Sequence, residues 1–361
     1  MEVSPFPYQG PLEPHQVRGR DDLIEDLVGR VTGRRVTALL GPRRYGKTSA
    51  LRRVASELTE VTTVWVDLYE VTSLADVAVR LDEGLAATRG PFASTTRALA
   101  ASVQLNLGLV RVALSGPARQ RPDPAGTLHG LLDVLVGTAL RRPTLVVIDE
   151  FSSIGKVPGA SGAFRTALQH HYTDMGVVFA GSHPSMMRAL FSSRPEPFYG
   201  QADLVEIGPL SGPAIEEVVR SGFASTGRDA GPCPGLVTAF TAGHPQRSMQ
   251  LADACWRQTP VGRMVSAEGW SAALDEVRAT ADEGMERIYS GFERGERALL
   301  RAVALSGSVY GREAELLDLS TGAATHARQA LLDKGDLHYN GPQVEVVDPL
   351  FADWLRRRFP I

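Results

Sequence analysis

Lysine and cysteine are both scarce in this chain. Of its 38 lysine and arginine residues only three are lysines, and its two cysteines are Cys233 and Cys255. Two cysteines are too few for a disulfide framework, and they do not have the Cys-x-x-Cys spacing of a metal or redox motif. We therefore expect both thiols to be reduced residues of the core.

Long apolar runs and a strong net charge are missing as well. No run approaches the roughly 18 residues of a membrane span, and residues 1–14 lack the basic start and apolar centre of a signal peptide. The formal net charge is −3, with 43% hydrophobic and 22% charged residues. This balance is typical of a globular protein and provides no general attraction for nucleic acid. The composition predicts a cytoplasmic protein with no membrane partner.

One of the three lysines lies in a complete G-x-x-x-x-G-K-[ST] pattern. Its residues are Gly41, Pro42, Arg43, Arg44, Tyr45, Gly46, Lys47 and Thr48, followed by Ser49. The apolar run 36–40 predicts a strand before the pattern, and the 3.6-residue apolar spacing of 48–58 predicts a helix after it. A strand, loop and helix in this order favour a phosphate-binding loop over a glycine-rich turn that only caps a helix.

The chemistry of such a loop explains its residue types. Gly41 and Gly46 allow the backbone N–H groups to point inward at phosphate oxygens, and the helix that follows adds the positive end of its dipole. Lys47 is predicted to reach the β and γ phosphates as a compact cation, and the Thr48 hydroxyl to ligate Mg²⁺. The pattern predicts that residues 41–49 bind ATP together with Mg²⁺.

A second part of the same site is predicted where the apolar run 144–148 ends. Asp149 and Glu150 follow this buried strand, and ligands collect at the carboxyl ends of parallel strands. Asp149 is predicted to hold Mg²⁺ and Glu150 to polarise the attacking water. Two acids that merely cap the strand are the alternative, which the upstream phosphate loop disfavours.

A small polar residue follows the next predicted strand. Ser182 is positioned either to bond the γ phosphate or its attacking water, or to cap the helix that begins near Pro184. His183 is a candidate for the same work. The residues alone leave these alternatives open.

Alternating strands and helices predict an α/β protein with a parallel sheet. We predict an extended arm at 1–14, a P-loop ATPase core at 15–209, a helical lid at 210–290 and a winged-helix domain at 291–361. The last prediction follows from three helices and a hairpin turned by Asn340-Gly341. Between 88 and 125 the pattern is weak, although alternation at 102–115 suggests an inserted β-hairpin.

These motifs make the chain resemble the prokaryotic, archaeal-type ATPases related to STAND and AAA+ P-loop proteins. The resemblance is carried by 41–49, by Val147-Ile148-Asp149-Glu150-Phe151, by Ala180-Gly181-Ser182 and by the ending Val347-Asp348-Pro349-Leu350-Phe351-Ala352-Asp353-Trp354. Val17-Arg18-Gly19-Arg20-Asp21 is similar to the family's N-terminal box, and Gly243-His244-Pro245 to its G-x-P element. The resemblance implies that Val17, Arg18 and Pro245 lie against the adenine. From the residues alone, residues 18–20 could equally form a solvated loop, and residues 243–245 a plain turn between two helices.

Two departures from the family pattern concern arginines. Gln201 follows Tyr199-Gly200, where relatives often carry an arginine. Gln246 stands three residues after a glycine, where related initiators carry a sensor arginine, and Arg247 is one residue further. Because arginine fingers contribute roughly 10³ to 10⁵ in rate, we expect a Mg²⁺-dependent ATPase with slow intrinsic turnover.

Two functions are compatible with these motifs. The first is an ATP-driven switch in which nucleotide state changes how the helical and winged-helix units pack or dock a protein partner or a second copy. The second is a DNA-binding ATPase of initiator or regulator type. Residues 293–361 contain nine basic and ten acidic residues, with Arg356-Arg357-Arg358 as the only basic run, so charge favours the switch. A P-loop kinase is disfavoured by Asp149-Glu150 and by the helices after the core.

Overall fold

The computed structural model describes residues 2–117, 121–310, 312–341 and 343–360. They form two compact units. We call Asp21–Gly41 with Lys47–Ile207 the sheet unit, and Met1–Arg20, Pro42–Gly46 and Gly208–Ile361 the helical unit. The middle of the predicted phosphate loop thus packs with the helical unit, whereas both ends of the loop belong to the sheet unit. In the described part of the chain, no helix has the length and apolarity that crossing a bilayer requires.

The sheet unit contains a five-stranded parallel sheet, which confirms the predicted fold class. Its strands are β1 (Thr37–Leu40), β2 (Thr62–Asp67), β3 (Thr144–Asp149), β4 (Gly176–Gly181) and β5 (Asp203–Glu206), in the spatial order β2-β3-β4-β1-β5. All residues of β3 and β4 are buried. Central parallel strands are covered on both faces, which explains their uninterrupted apolar sequences.

Helices connect these strands and complete the core. They are α1 (Asp21–Thr32), α2 (Lys47–Glu57), α3 (Leu74–Ala86), α4 (Gly90–Ser102), α5 (Val110–Ser115), α6 (Pro124–Ala139), α7 (Ala160–Leu168) and α8 (Pro184–Ser192). Beside β4, the rings of Phe151, Phe179, Phe191 and Phe198 lie 4.5 to 5.9 Å apart. This aromatic cluster holds the segment after β3, and therefore the acids at its end, against the sheet.

The suggested β-hairpin at 102–115 is wrong. The chain leaves α4 at Ser102 and enters α5 at Val110. The buried carboxylate of Asp82 accepts hydrogen bonds from the backbone N–H groups of Gly108 at 2.8 Å and Val110 at 3.3 Å. A side chain from α3 therefore takes the donors that a strand ladder would have used. The apolar alternation belongs to an irregular link between two helices.

The helical unit is mostly α-helical after Gly208. Its elements are α9 (Gly212–Ser225), α10 (Cys233–Thr241), α11 (Pro245–Gln258), α12 (Ala267–Ser290), α13 (Arg294–Ser306), α14 (Arg312–Leu316), α15 (Thr321–Lys334), the antiparallel strands β6 (Leu337–Asn340) and β7 (Gln343–Val346), and α16 (Pro349–Arg358). Asn340 pairs with Gln343, so Asn340 is the last residue of β6 and not part of the turn as predicted. This register places Leu337 opposite Val346, both buried, and a one-residue slip would expose them.

A separate core lies within the helical unit. It includes Phe6, from the N-terminal segment, whose ring lies 5.5 Å from that of Phe223 in α9. Cys233 and Cys255 are also buried in this core as free cysteines. The segment before α1 has a single 3₁₀ turn at Pro14–Gln16 and is otherwise irregular. The Phe6 ring therefore anchors this segment in the core.

Candidate functional site

The two ends of the predicted phosphate loop lie close together in the sheet unit. A side chain at position 41 would place its Cβ 2.3 Å from Cγ2 and 2.7 Å from the carbonyl oxygen of Ile207, so only glycine fits there. Lys47 is buried, and its Nζ donates to the carbonyl oxygen of Gly41 at 2.8 Å. The lysine ammonium is therefore held over the backbone at the start of the loop.

The two predicted magnesium ligands are in direct contact. The Thr48 hydroxyl donates to Oδ2 of Asp149 at 2.8 Å. Burial raises the pKa of Asp149, the Thr48 hydrogen bond partly offsets this, and the charge of Glu150 adds to the increase. A divalent cation at this hydroxyl and carboxylate would favour the ionised form of Asp149.

This donor pair fits Mg²⁺. Mg²⁺ usually keeps several waters and takes only one or two protein oxygens together with substrate phosphates. Among the described residues no group of three His, Cys, Asp or Glu side chains could cage a metal on its own. With only Thr48 and Asp149 as ligands, Mg²⁺ would take the rest of its coordination from water and phosphate oxygens.

Glu150 has an unusual backbone conformation, and Ser182 holds its carboxylate. Its backbone has φ of 51°, in the left-handed region that a glutamate rarely adopts. The Ser182 hydroxyl donates to Oε1 of Glu150 at 2.5 Å, and the Ser182 N–H lies 3.4 Å from Oε2. Because β3 and β4 are neighbours, their carboxyl ends bring these two residues together. Unusual backbone angles held by surrounding contacts are frequent at functional sites.

The structure places Ser182 against the acid and not at the helix start. The N-cap residue of α8 is His183, and no side-chain cap bond is formed there. Nδ1 of His183 lies 3.3 Å from Oγ of Ser152. A continuous series of hydrogen bonds thus runs from Thr48 through Asp149 and Glu150 to Ser182. These groups could bind a divalent cation and accept a proton from a nearby water.

The middle of the phosphate loop, Pro42–Gly46, is part of the helical unit. Tyr45 is buried, and its ring lies edge-on to His244 at 5.1 Å and to His338 at 6.3 Å. Burial raises the pKa of Tyr45 to about 12, so its hydroxyl stays protonated at neutral pH. Arg44 has φ of 67°. Sequence reasoning assigned both residues to phosphate and did not predict these contacts.

The predicted N-terminal box and G-x-P element meet on one short segment of the helical unit. The Arg20 guanidinium donates to the carbonyl oxygen of Gly208 at 2.6 Å, and burial lowers its pKa to about 10. The N–H of Leu210 donates to the carbonyl oxygen of Gly243 at 2.9 Å. A Cβ on Gly243 would lie 2.5 Å from the Leu210 carbonyl oxygen, so the approach requires glycine.

Three predicted adenine residues flank this junction. Val17 is buried, Pro245 is partly buried at the first position of α11, and Arg18 is exposed. Arg20, which sequence reasoning left without a role, fixes the box through backbone carbonyls. The only sequence signal for this role of Arg20 was its place as the second arginine of Arg18-Gly19-Arg20.

Gln246, at the expected position of the sensor arginine, and the neighbouring Arg247 both have other partners. Nε2 of Gln246 donates to the carbonyl oxygen of Tyr8 at 3.2 Å, while its Oε1 is buried with no partner among the described residues. Arg247 is buried and pairs with Asp348, with Nε 2.9 Å from Oδ1 and Nη2 2.5 Å from Oδ2. Sequence reasoning did not predict this pairing, which joins residues 101 positions apart.

Gln201 is held within the sheet unit. Its side-chain carbonyl accepts a hydrogen bond from the Tyr172 hydroxyl at 2.9 Å, and its amide nitrogen lies 3.3 Å from the Pro197 carbonyl oxygen. Both ends of this side chain are therefore engaged by the surrounding structure.

Comparisons with known proteins agree with this architecture. No protein-family model and no curated protein matches the chain. Among solved structures, it is similar to a Walker-type ATPase of Pyrococcus abyssi with TM-score 0.71 and 16% identity, covering 98% of this chain and 99% of that one. The ADP form of the Aeropyrum pernix ORC2 protein is similar with TM-score 0.53 and 13% identity, over 99% and 98% of the two chains.

The Aeropyrum pernix ORC1 protein, solved in complex with DNA, is also similar. Its TM-score is 0.52 at 16% identity, and the match covers 94% of this chain and 93% of that one. At such identities the likeness concerns the fold. The parallel sheet and these neighbours define an AAA+-like P-loop NTPase fold.

Proposed function

We propose that this protein is a Mg²⁺-dependent ATPase with slow turnover, whose nucleotide state acts as a switch. The observation that carries the proposal is the 2.8 Å contact between Thr48 of the phosphate-loop pattern and Asp149 at the end of β3. A hydroxyl and a carboxylate so placed, next to a buried lysine, are the groups that a nucleotide with Mg²⁺ requires.

Each site residue has a role in this proposal. Lys47 binds the β and γ phosphates, Thr48 and Asp149 hold Mg²⁺, which would neutralise phosphate charge, and Glu150 polarises water. Ser182 positions Glu150. The remaining predicted nucleotide contacts are Gly41, Pro42, Arg43, Arg44, Tyr45, Gly46 and Ser49 at the phosphates, and Val17, Arg18 and Pro245 at the adenine.

Slow turnover is proposed because glutamines stand at the two positions where relatives carry an arginine, and the neighbouring Arg247 is paired. Gln201 carries no positive charge and is held by Tyr172, and Arg247 is paired with Asp348. Without a guanidinium at the γ phosphate, the charge that develops during hydrolysis is less stabilised.

Nucleotide binding is tested with a fluorescent ATP analogue and the full chain. Lys47→Ala should weaken binding at least tenfold, since a charge-assisted bond to phosphate is lost. Lys156→Ala is the matched control, because Lys156 is an exposed lysine of the same unit, and should bind like the unchanged protein. Equal affinity of Lys47→Ala and the unchanged protein would rule out the site.

The switch is proposed to act on helices α9–α12 and on a winged helix formed by α13, α14, α15 and the β6–β7 hairpin. The support is the packing of Tyr45, a phosphate-loop residue, against His244 and His338. Hydrogen exchange with ADP and with a non-hydrolysable ATP analogue tests it. A difference in α11 and β6 is expected, and identical exchange in both states would remove the switch.

The alternative is a DNA-binding ATPase of initiator or regulator type. It is favoured by the similarity to the ORC1 protein solved with DNA, whereas the balanced charge of 293–361 gives it no support. Gel shift of duplex DNA with and without ATP separates the two proposals. DNA binding that weakens steeply with salt would favour the alternative, and no shift at low salt would exclude it.

A further inference from the structure

A cavity of about 230 Å³ lies within the sheet unit, and none of the residues that line it belongs to the proposed nucleotide site. It lies between the loop after β2, the first half of α3 and the short helix α5. Asp82 of α3 holds α5 in this place, because its carboxylate accepts hydrogen bonds from the N–H groups of Gly108 and Val110. The segment after α4, in which the sequence suggested a hairpin, thus forms one wall of the cavity.

One part of the cavity lining is apolar. It consists of Val71 before α3, Ala75 and Val79 of α3, and Leu114 of α5. An apolar group that packs against these side chains would remove hydrocarbon surface from water. The volume is below the roughly 300 to 1,000 Å³ of pockets for drug-sized ligands. The cavity therefore suits a short aliphatic side chain.

Two guanidinium groups border the same cavity. Arg80 of α3 and Arg111 of α5 both line it and share one carboxylate, that of Glu83. Nη2 of Arg111 lies 2.6 Å from Oε1 of Glu83, whereas Nη1 of Arg80 lies 3.5 Å from Oε2. One carboxylate offsets one of the two positive charges and leaves N–H donors of both groups for a ligand. Because a guanidinium binds carboxylates in a two-pronged geometry, this pair suits a ligand carboxylate.

Two acids also line the cavity, and they differ in their partners. The Asp76 carboxylate accepts hydrogen bonds from the hydroxyl groups of Thr72 and Ser73 and from the Thr72 N–H, at 2.9 to 3.0 Å. Among the described residues, no hydrogen bond or ion pair involves the Glu70 side chain. Its backbone has φ of 54°, in the left-handed region, and residues with such angles cluster at binding sites. Glu70 is therefore the acid that can pair with a cationic group in the cavity.

We infer that this cavity is a binding site for a free α-amino acid with an apolar side chain. The ligand carboxylate binds Arg80 and Arg111, its ammonium binds Glu70, and its side chain packs on the wall to which Val79 and Leu114 contribute. An amino acid carries these three groups around one carbon atom, which matches a small cavity lined by both charges and by hydrocarbon. The inference does not depend on nucleotide binding, and it gives the segment between α4 and α6 a role.

Isothermal titration calorimetry of the full chain without nucleotide tests the site, with leucine as the probe. Leucine should bind with one-to-one stoichiometry and a dissociation constant of about 1 mM or lower. Leucinamide, which lacks the carboxylate, and 4-methylpentanoate, which lacks the ammonium, should each bind at least tenfold more weakly. No binding of leucine at about 10 mM, or an analogue that binds as tightly as leucine, would overturn the inference.

Two arginine variants locate the binding in the cavity. Arg111→Ala should weaken leucine binding at least tenfold. The Arg111 side chain is 64% exposed, so its loss costs little stability. Arg97→Ala removes another exposed arginine, from α4, and should bind leucine like the unchanged protein. Unchanged affinity in Arg111→Ala, or the same loss in both variants, contradicts the inference.

Glu70→Asn tests the other end of the ligand. Asparagine tolerates the φ of 54° at this position. The variant should lose the preference for leucine over 4-methylpentanoate, because a neutral amide cannot form an ion pair with the ammonium. A preserved preference would overturn the inference. All these titrations omit ATP, so their failure leaves the proposed ATPase intact, and a failure of ATP binding leaves the cavity site intact.

Discussion

Glu150 leaves β3 in a backbone conformation that costs free energy for a residue with a side chain. The Ser182 hydroxyl and the aromatic cluster behind β3 hold it there. The sequence pattern predicted which two acids follow the strand, because they stand at the end of an apolar run. It could not predict that Ser182 would bond Glu150, since this contact requires the neighbouring positions of β3 and β4 in the sheet.

The proposed role of Glu150 predicts a separation of binding from hydrolysis. Glu150→Gln should retain the affinity for ATP within about twofold and lower turnover about 100-fold, because the amide cannot accept the proton from water. Phosphate release and nucleotide affinity are the two measurements. Glu60→Gln changes an exposed acid of the same unit and should alter neither. Full turnover in Glu150→Gln would assign the base elsewhere.

His244 predicts a dependence of stability on acid pH. Burial lowers its pKa from 6.5 to about 4, so between these values the unfolded chain binds a proton that the folded chain does not. The stability that neutral His244 contributes is fully present above pH 6.5 and is lost as the pH falls towards 4. Within that window, each unit of decrease in pH stabilises the unfolded state relative to the folded state by about 1.4 kcal/mol.

The measurement is urea denaturation at pH 7 and pH 4.5. His244→Asn keeps an N-cap side chain for α11. Between the two pH values the unchanged protein should lose about 2 kcal/mol more than this variant. Asp336, whose pKa burial raises to about 6, is common to both proteins and cancels in the difference. Equal losses would show that His244 titrates normally when folded.

Among the helices and strands, periodic segments were predictable and irregular ones were not. The strands β1 to β5 and most helices follow from apolar runs and 3.6-residue spacing. The hairpin predicted at 102–115 was wrong because alternate apolar residues also occur in the link between α4 and α5, whose backbone is fixed by Asp82. A distant carboxylate decided the local structure, and no window of sequence contains that information.

Phe6 anchors the N-terminal segment in the core of the helical unit. Phe6 is 1% exposed and packs on Phe223. Phe6→Ala should lower the free energy of unfolding by about 3 kcal/mol, from lost burial and the cavity that remains. Val3→Ala, at a residue that is 86% exposed, is the control and should cost less than 0.5 kcal/mol. Urea denaturation measures both, and similar values for the two would show that Phe6 does not anchor the segment.

The described residues contain one hydrophobic core in each unit. The sheet unit is built around β2, β3 and β4, and the helical unit around α9 to α13, α15 and α16. The predicted order along the chain, a parallel sheet followed by helices, agrees with these two cores. The assignment of Pro42–Gly46 to the helical unit was not predictable, because the loop motif is continuous in sequence with the strand and helix of the sheet unit.

Nucleotide and Mg²⁺ should stabilise the whole protein together. At about 100 times its dissociation constant, ATP with Mg²⁺ should add about 2.7 kcal/mol and raise the melting temperature. EDTA should abolish most of that increase, because the cation links phosphate to Thr48 and Asp149. Thr48→Ala should respond to EDTA far less. Stabilisation that is insensitive to EDTA in both proteins would contradict the proposed magnesium site.

The sequence by itself determined the phosphate-loop pattern, the acids after β3 and the α/β fold class, because each depends on residue types at short spacing along the chain. The tertiary structure alone decided that Ser182 holds Glu150, that Arg20 fixes the N-terminal box, and that Asp348 pairs with Arg247. These contacts join residues 32, 188 and 101 positions apart. Their geometry follows from strand order and helix packing, which short-range patterns do not encode.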